Sequence, residues 1–250
     1  MTNPRNKPES RREENGVVFY ERENMTHGEV TYKRLAIHTH FVQRGESYVE
    51  LVKQYVAPIM QPGDILSLSE KIIAMCQNNV IERKDIKPGF WAKRLYRFAS
   101  SSKHGRGVND AHVMQLAIDL AGLPRILWAA FCSAIGKMFG KRGIFYKIAG
   151  HGINGIDGMY AYSAFEVYRD MALLNPKEPD KVCAEVEEAL GIPTVLVDAN
   201  DLGVNVFGKS PSMVMADQDL CAIIKDNPAG QGDAQTPLIL IRPIIDEVDE

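Results

Sequence analysis

Hydrophobic and polar positions change their spacing several times along the chain, and each change predicts a new element. Apolar residues alternate with polar ones from Val30 onwards, which predicts a strand. Residues 46–57 carry apolar side chains at three- and four-residue intervals, which predicts a helix that ends at Pro58. Residues 63–69 are typical of a buried strand after a Pro-Gly turn, and a further apolar segment follows directly.

The middle of the chain is predicted to be largely helical. Residues 88–99 form a basic and aromatic run with helical spacing. We interpret the cationic face of this run as simply solvated, and a docking surface for an anionic ligand is the alternative. Asp110 is placed to cap a helix that runs to about Leu120, and a second helix follows Pro124.

From residue 144 onwards, the alternating spacing of strands and the three- to four-residue spacing of helices both occur. Residues 144–160 are typical of a strand and turn, and residues 162–174 of a helix. A helix over residues 179–190 is closed by a glycine, and residues 193–197 form a short apolar run of strand length. The final predicted strand covers residues 238–241. Strands that alternate with helices in this way predict an α/β (α+β) fold.

The first 24 residues differ from the rest because they are polar and charged. They predict a flexible N-terminal tail, followed by one domain over residues 25–250. This tail lacks the apolar segment of a signal peptide. The chain carries a net charge of −3, which gives no reason to expect binding to nucleic acid or to a membrane. Its four cysteines form no CxxC pair, so we expect buried thiols in a reducing cytoplasm.

Acidic and glycine-rich turns are the candidates for chemistry. Residues 227–237 form a Gly/Pro-rich loop before the last strand, and backbone amides in such a loop can cradle a phosphate. Asp157 lies in a Gly-Ile-Asp-Gly turn, and Asp198 follows the strand at 193–197. Carboxylates at strand ends can converge on Mg²⁺ that is bound together with substrate phosphates. The alternative is that these residues simply favour turns.

Two histidines, His38 and His40, are predicted to alternate in one strand and to point the same way. They could bind a metal, but a pair without a third ligand is weak support for zinc. The chain has no GxSxG, HExxH or GxGxxG motif, which removes the support for a hydrolase elbow, a zincin or a Rossmann site.

Taken in order, four segments resemble the coenzyme F-420-0:L-glutamate ligase (gamma-glutamyl ligase) family. Residues 63–73, Gly-Asp-Ile-Leu-Ser-Leu-Ser-Glu-Lys-Ile-Ile, resemble an early strand of that family. The Gly-Ile-Asp that ends at Asp157 and the Val-Leu-Val-Asp that ends at Asp198 resemble its two metal-binding aspartate motifs. Residues 230–242 resemble its late nucleotide- and metal-contacting segment.

The resemblance implies a ligase domain with a mixed sheet. It also implies an intertwined homodimer that attaches L-glutamate to a small carboxylate acceptor through an acyl phosphate. It also implies GTP (or ATP) as co-substrate and Mg²⁺ or Mn²⁺ as the divalent cation. Asp157 and Asp198 would be the catalytic residues. The implied metal ligands are Asp157, Asp198, Asn200, Asp201 and Gln231. The implied nucleotide-binding residues are Thr39, His40, Lys71, Gly230, Gln231 and Gly232.

Several positions depart from the family's pattern. Ala199 and Asn200 stand where a threonine often follows the second aspartate, and Met159 follows the Gly-Ile-Asp-Gly turn. Three alternatives therefore stay open. They are gamma-glutamylation of another acceptor such as folate, a catalytically silent nucleotide- or metabolite-binding regulator, and an unrelated α/β binding module.

Overall fold

The computed structural model describes residues 6–98, 108, 110–141, 143–150, 152–159, 165–200, 203–230 and 233–244. The strands are β1 (Arg11–Glu14), β2 (Val17–His27), β3 (Val30–Ile37), β4 (Ile65–Ser69), β5 (Val80–Glu82), β6 (Asp157–Gly158), β7 (Met171–Leu173), β8 (Thr194–Asn200), β9 (Gly203–Lys209) and β10 (Leu238–Ile244). The α-helices are α1 (Tyr48–Tyr55), α2 (Glu70–Cys76), α3 (Phe90–Leu95), α4 (Ala111–Ala121), α5 (Leu123–Met138), α6 (Ile144–Ala149), α7 (Pro179–Leu190) and α8 (Asp217–Ile223). Strands and helices therefore mix, as the α/β prediction requires.

The chain divides into two compact units, where the sequence predicted a single domain over residues 25–250. The first unit comprises Met1–Asn78 and Pro176–Glu250, and we call it the sheet unit. The second comprises Asn79–Asn175, and we call it the helical unit. The sequence did not reveal this division because the second unit is inserted between two parts of the first.

The sheet unit is built on seven strands in the order β1-β2-β3-β10-β4-β8-β9. Strands β4 and β8 run parallel, and the other neighbours in this sheet are antiparallel. Side chains alternate between its two faces. Leu238 and Leu240 pack with α1 and α7 on one face, whereas Ile239 and Ile241 pack with α8 on the other. Burial on both faces explains the continuous apolar run at the start of β10.

The prediction of a flexible tail over residues 1–24 is wrong for the residues that the structure describes. Strand β2 pairs with β1 on one side and β3 on the other, and Val17 and Phe19 are buried in the core. Few apolar residues lie in this segment, so its order comes from strand pairing with residues further along the chain.

The helical unit contains α3 to α6 and a three-stranded sheet in the order β5-β7-β6. The predicted helix after Asp110 is confirmed, and the Asp110 carboxylate accepts a hydrogen bond from the His112 backbone N–H at 2.7 Å. The predicted helix after Pro124 corresponds to α5, with Pro124 in its first turn.

Two other predictions in this unit are wrong. Residues 144–149 form α6 instead of a strand, because its apolar side chains pack on α5. Ile144 lies so close to Gly136 that a Cβ added there would be 2.0 Å from its Cδ1. In the predicted helix over residues 162–174, the described residues form a 3-10 turn (Glu166–Arg169) and the strand β7, which pairs with β5 and β6. Tertiary packing overrides the local pattern at both places.

The cysteine prediction is confirmed in part. All four cysteines are free, and Cys76 and Cys183 are buried, whereas Cys132 and Cys221 are half-buried. Burial raises the pKa of the Cys76 thiol and of the Cys183 thiol to about 12. In the part of the chain that the structure describes, no single helix has the length and apolar character needed to cross a bilayer.

Candidate active site at one end of the seven-stranded sheet

The strand register brings four chain segments to one end of the sheet. Leu238, at the start of β10, lies opposite Ile37 at the end of β3 and opposite Leu68 near the end of β4. Ser69 at the end of β4 lies beside Val197 of β8. The segments that follow β3 and β4, the later part of β8, and the loop before β10 therefore meet at this end. Among the described residues, six predicted site residues lie on these segments, namely Thr39, His40, Lys71, Asp198, Asn200 and Gly230.

Backbone hydrogen bonds connect these segments. The Thr39 N–H donates to the Gln235 carbonyl at 3.0 Å, and the Ser69 N–H donates to the Pro237 carbonyl at 3.0 Å. Thr39 is 1% exposed, and its hydroxyl donates to the His40 carbonyl at 2.9 Å. In this conformation Thr39 therefore fixes the turn after β3 instead of presenting its hydroxyl to solvent.

The glycine-rich loop before β10 is held by its own polar groups. The Gly230 N–H donates to the Asn227 carbonyl at 2.9 Å, and the Asn227 side-chain amide donates to the Gly230 carbonyl at 3.2 Å. The Thr236 hydroxyl donates to the Ala229 carbonyl at 2.7 Å. Gly230 has a φ of 76°, which favours glycine. The Gly230 amide that was expected to contact phosphate is thus engaged within the loop.

A buried arginine fixes the start of this loop, and the sequence did not indicate this arginine. Arg34 in β3 is fully buried and forms an ion pair with Asp226, which immediately precedes the loop. One of its nitrogens, Nη1, also donates to the Ile223 carbonyl at 3.0 Å. Because a buried guanidinium requires partners for its donors, this arrangement ties the end of α8 to the centre of the sheet. Side chains two residues apart in a strand share a face, so Arg34 lies on the same buried face of β3 as Ala36. A charged residue at such a position in the sequence could have identified Arg34.

Asp198 and Asn200 form the polar part of β8. The sequence predicted that the strand ends before Asp198, but β8 continues to Asn200, paired with β9. Two residues apart in a strand, the two side chains share a face. The Asn200 amide nitrogen lies 3.2 Å from each Asp198 carboxylate oxygen. Asn200 is 9% exposed and Asp198 is half-buried, so the carboxylate is oriented by a buried neighbour.

The first residues of α2 add two more charged groups to this end of the sheet. Lys71 is half-buried in the first turn of α2. Glu70 precedes it, and one oxygen of its carboxylate is shielded from solvent. Glu70 is not among the residues that the sequence indicated. Glu70 directly follows a buried strand, as Asp198 was predicted to do. The same pattern could therefore have indicated Glu70.

His40 has a different environment from the one predicted. His38 and His40 follow β3 instead of lying in it. The His40 ring is held at both nitrogens: Nδ1 lies 2.9 Å from the Tyr55 hydroxyl, and Nε2 lies 2.9 Å from Glu46 Oε2. Burial and the nearby Arg11 lower the pKa of His38. The bonds of His40 give it a role in attaching α1 to the turn after β3.

Asp157 lies in the helical unit, in β6 instead of in a turn that follows a strand. Its carboxylate accepts a hydrogen bond from the Gly158 N–H at 2.8 Å. Gly158 has a φ of 97°, and a Cβ there would lie 2.1 Å from the Met171 carbonyl oxygen. Burial, together with the negative charge of Asp157, raises the pKa of Tyr168 to about 12. Glycine is therefore required for β6 to approach β7 and hold Asp157 there.

The Gly63-Asp64 and Arg242 positions of the resembling segments have a structural role. Asp64 is fully buried, and Arg242 donates to it from Nε and Nη2, each at 2.8 Å. The Gln61 N–H also donates to Asp64 at 2.8 Å. The carboxylate raises the pKa of Arg242. This bidentate pair joins the turn before β4 to β10.

The predicted metal ligands stay a prediction. Gln231, Gly232 and Asp201 lie outside the described residues. Within the described ranges, no group of three His, Cys, Asp or Glu side chains is arranged to hold a metal ion. Asp198 and Asn200 supply oxygen atoms of the kind that Mg²⁺ and Mn²⁺ prefer. They fit such an ion as a partial ligand set.

These features define an α/β protein with acidic and amide-bearing candidate site residues at one end of a mixed sheet. A family model described as F420-0:gamma-glutamyl ligase matches residues 36–197, which is more than half of the chain. The chain therefore belongs to the F420-0:gamma-glutamyl ligase family, as the four segments predicted. No curated protein sequence matches it. Membership implies a ligase that forms a gamma-glutamyl linkage, in the context of F-420 biosynthesis.

The match covers some candidate residues and stops short of others. Thr39, His40, Lys71 and Asp157 lie within it, whereas it ends at Val197, one residue before Asp198. The helical unit, which could not be compared residue by residue from the sequence, lies wholly inside the matched range. The matched range therefore spans this unit together with parts of the sheet unit.

Proposed function

We propose that this protein is a nucleotide- and metal-dependent ligase that joins L-glutamate to a small carboxylate acceptor. Three features support the proposal: family membership, the convergence of Thr39, Lys71, Asp198 and Asn200 at one end of the sheet, and the adjacent glycine-rich loop. The observation that carries it is the Asp198–Asn200 pair, because a half-buried carboxylate oriented by an amide is a suitable partial ligand set for a divalent cation.

The proposed chemistry has two steps. The acceptor carboxylate attacks the terminal phosphate of GTP (or ATP), which yields an acyl phosphate and the nucleoside diphosphate. The amine of glutamate then displaces inorganic phosphate and forms the amide. Phosphoryl transfer depends on positioning and on neutralisation of charge more than on covalent help from the protein.

Each candidate residue then has a specific task. Asp198 and Asn200 would hold Mg²⁺ or Mn²⁺, which supplies positive charge beside the phosphates when it is bound. Asp157, Asp201 and Gln231 are the further ligands that the family resemblance proposes. Lys71 would stabilise the phosphates, and Gly232 would contact them through its backbone amide. Gly230, whose N–H is bonded to the Asn227 carbonyl, would shape the loop. Thr39 and His40 would shape the nucleotide pocket, with homodimer formation as a further family expectation.

A phosphate-release assay tests the proposal. We expect release of inorganic phosphate that requires nucleotide, Mg²⁺, glutamate and a carboxylate acceptor together. Asp198→Asn should lower kcat by about a hundredfold or more, since it removes the charge that would hold the metal. The exposed Glu188 on α7 supplies the matched control, and Glu188→Gln should leave kcat unchanged. Mass spectrometry of the products, with F420-0 and folate as acceptors, identifies the acceptor.

A catalytically silent nucleotide-binding protein is the second candidate. It is favoured by Ala199-Asn200 in place of a hydroxyl residue, and by the internal hydrogen bonds of the Gly230 amide and the His40 ring. Calorimetric titration with GTP and ATP separates the two candidates. Nucleotide binding without phosphate release for any acceptor supports the silent protein and overturns the ligase.

A further inference from the structure

Helix α5 of the helical unit is packed with its large side chains outwards. The residues that face the core of the unit are Ile126, Ala129 and Gly136. The exposed residues include Trp128 at 59%, Phe131 at 56% and Met138 at 84% of their full accessible surface. A helix that packs only against the core would bury its large apolar side chains and expose polar ones. The outward face of α5 is not used by the proposed reaction.

The exposed apolar residues of α5 form one continuous stripe. They recur at intervals of three or four residues, and the stripe consists of Trp128, Phe131, Ile135 and Met138, with Phe139 at its end. The Trp128 and Phe131 rings are stacked, with centroids 5.7 Å apart and an interplanar angle of 27°. Aromatic side chains clustered in this way on a surface mark a site of interaction.

The chain segment that carries this stripe has charges of one sign. No aspartate or glutamate occurs between Asp119 and Asp157, whereas the same stretch holds five lysines and arginines. Arg125, Lys137, Lys141 and Lys147 are exposed. We call the stripe together with these cations the α5 surface. An apolar face bordered by cations is the pattern of helices that lie in the boundary region of a membrane.

The charge of the whole chain conceals this local excess. The helical unit holds 14 Lys and Arg against 7 Asp and Glu, a net charge of +7. The sheet unit holds 15 against 25, a net charge of −10. The expectation that the protein has no affinity for membranes was based on the sum of −3, which does not represent either unit.

We propose that the α5 surface docks on an anionic lipid bilayer. Trp128, Phe131 and Met138 would enter the boundary between headgroups and acyl chains, and the exposed lysines would pair with lipid phosphates. The attachment is peripheral. Helices α4 and α5 together have the length and composition of a span, but they are bent by 116° at their junction.

Charge decides between this occupant and a second copy of α5. A symmetric pairing would bring the cations that border the stripe of one copy, Lys137 and Lys141 among them, towards the cations that border the stripe of the other. The acid-free stretch between Asp119 and Asp157 supplies no carboxylate to compensate them. An anionic bilayer would both cover the apolar stripe and neutralise these cations with its lipid phosphates.

Vesicle co-sedimentation of the full-length protein tests the proposal. Vesicles of phosphatidylcholine are compared with vesicles that contain equal parts of phosphatidylcholine and phosphatidylglycerol. We expect about tenfold more protein on the anionic vesicles at low salt, and loss of most of that binding in high salt. In a Trp91→Phe background, the Trp128 emission should shift to shorter wavelength when anionic vesicles are added.

Two pairs of variants separate the α5 surface from general effects. Phe131→Ser with Met138→Ser should abolish the binding, whereas Val214→Ser, at a residue of the sheet unit that is 94% exposed, should not change it. Lys137→Glu with Lys141→Glu should lower binding about tenfold, and the exposed Lys225→Glu should have no such effect. Thermal unfolding checks that each variant is folded. If the serine variant does not fold, the charge variant still decides the question.

Three results would overturn the proposal. They are equal binding to neutral and anionic vesicles, the absence of binding to both, and unchanged binding of the charge variant. Sedimentation equilibrium adds a fourth: a wild-type dimer that dissociates on Phe131→Ser with Met138→Ser would show that a second copy covers the stripe.

Discussion

The sheet unit and the helical unit position their candidate site residues by different means. In the sheet unit, strand register brings Thr39, Lys71 and Asp198 to one end of the sheet, and buried ion pairs at Arg34 and Arg242 fix the connecting segments. In the helical unit, Asp157 depends on close backbone approaches that only glycine permits. The two units also carry opposite net charges.

This difference shows how tolerance to substitution can vary within one protein. A residue positioned by a ladder of backbone hydrogen bonds keeps its place when its neighbours change, because the ladder does not depend on side chains. A residue positioned by a glycine contact loses its place when one methyl group is added. The departures from the family pattern at Ala199 and Asn200 lie on such a ladder, in β8.

The largest effect is expected at the ion pair that joins β4 to β10. Arg242→Met should lower the free energy of unfolding by about 3–5 kcal/mol, because it leaves the fully buried Asp64 carboxylate without its partner. Urea denaturation measures the change. The matched control is Lys209→Met, which removes a partly exposed pair with Asp217 and should cost about 0–1 kcal/mol. Equal losses for both variants would contradict a special role for the buried pair.

A smaller loss is expected at the glycine that places Asp157. Gly158→Ala should cost about 2–4 kcal/mol, from backbone strain at a φ of 97° and from the clash with the Met171 carbonyl. Gly143 also has a positive φ, of 79°, but the space around it is open. Gly143→Ala should therefore cost about 1–2 kcal/mol. Chemical denaturation compares the two. A loss for Gly158→Ala no larger than the control would show that the backbone approach is not limiting.

The smallest effect concerns the cap of α4 and depends on pH. Burial alone would raise the pKa of Asp110, but hydrogen bonds from the His112 backbone N–H and from Arg83 outweigh it and lower the pKa. A lowered folded-state pKa gives stability above the ordinary carboxyl pKa of about 3.9, and this stability is lost as the pH falls through the folded value.

Asp110→Asn should therefore cost about 1 kcal/mol near neutral pH, and the difference from the unsubstituted protein should vanish in strong acid. Thermal unfolding at a series of pH values measures this. Asp119→Asn, at an exposed position of the same helix, is the control and should leave the profile nearly unchanged. A difference that persisted in strong acid would show that the charge of Asp110 is not responsible.

The sequence allowed the prediction of elements whose own pattern is strong. Strand β3, helices α1 and α7, and the cap at Asp110 were correctly predicted, because apolar spacing and turn residues act within a few positions. Family membership was also predictable, since short motifs kept their order along the chain. Of the candidate site residues in the two units, the sequence indicated Asp157 and Asp198 but not Glu70 or Arg34.

The chain by itself determined the α/β class and the family, because periodicity and motif order are properties of neighbouring residues. Tertiary structure decided what lies far apart in the chain. It ordered residues 11–27 by pairing them with β3, made α6 a helix by packing it against Gly136, and extended β8 through Asn200 by pairing with β9. The division into two units and the outward face of α5 were decided in the same way, because burial depends on which distant segments come together.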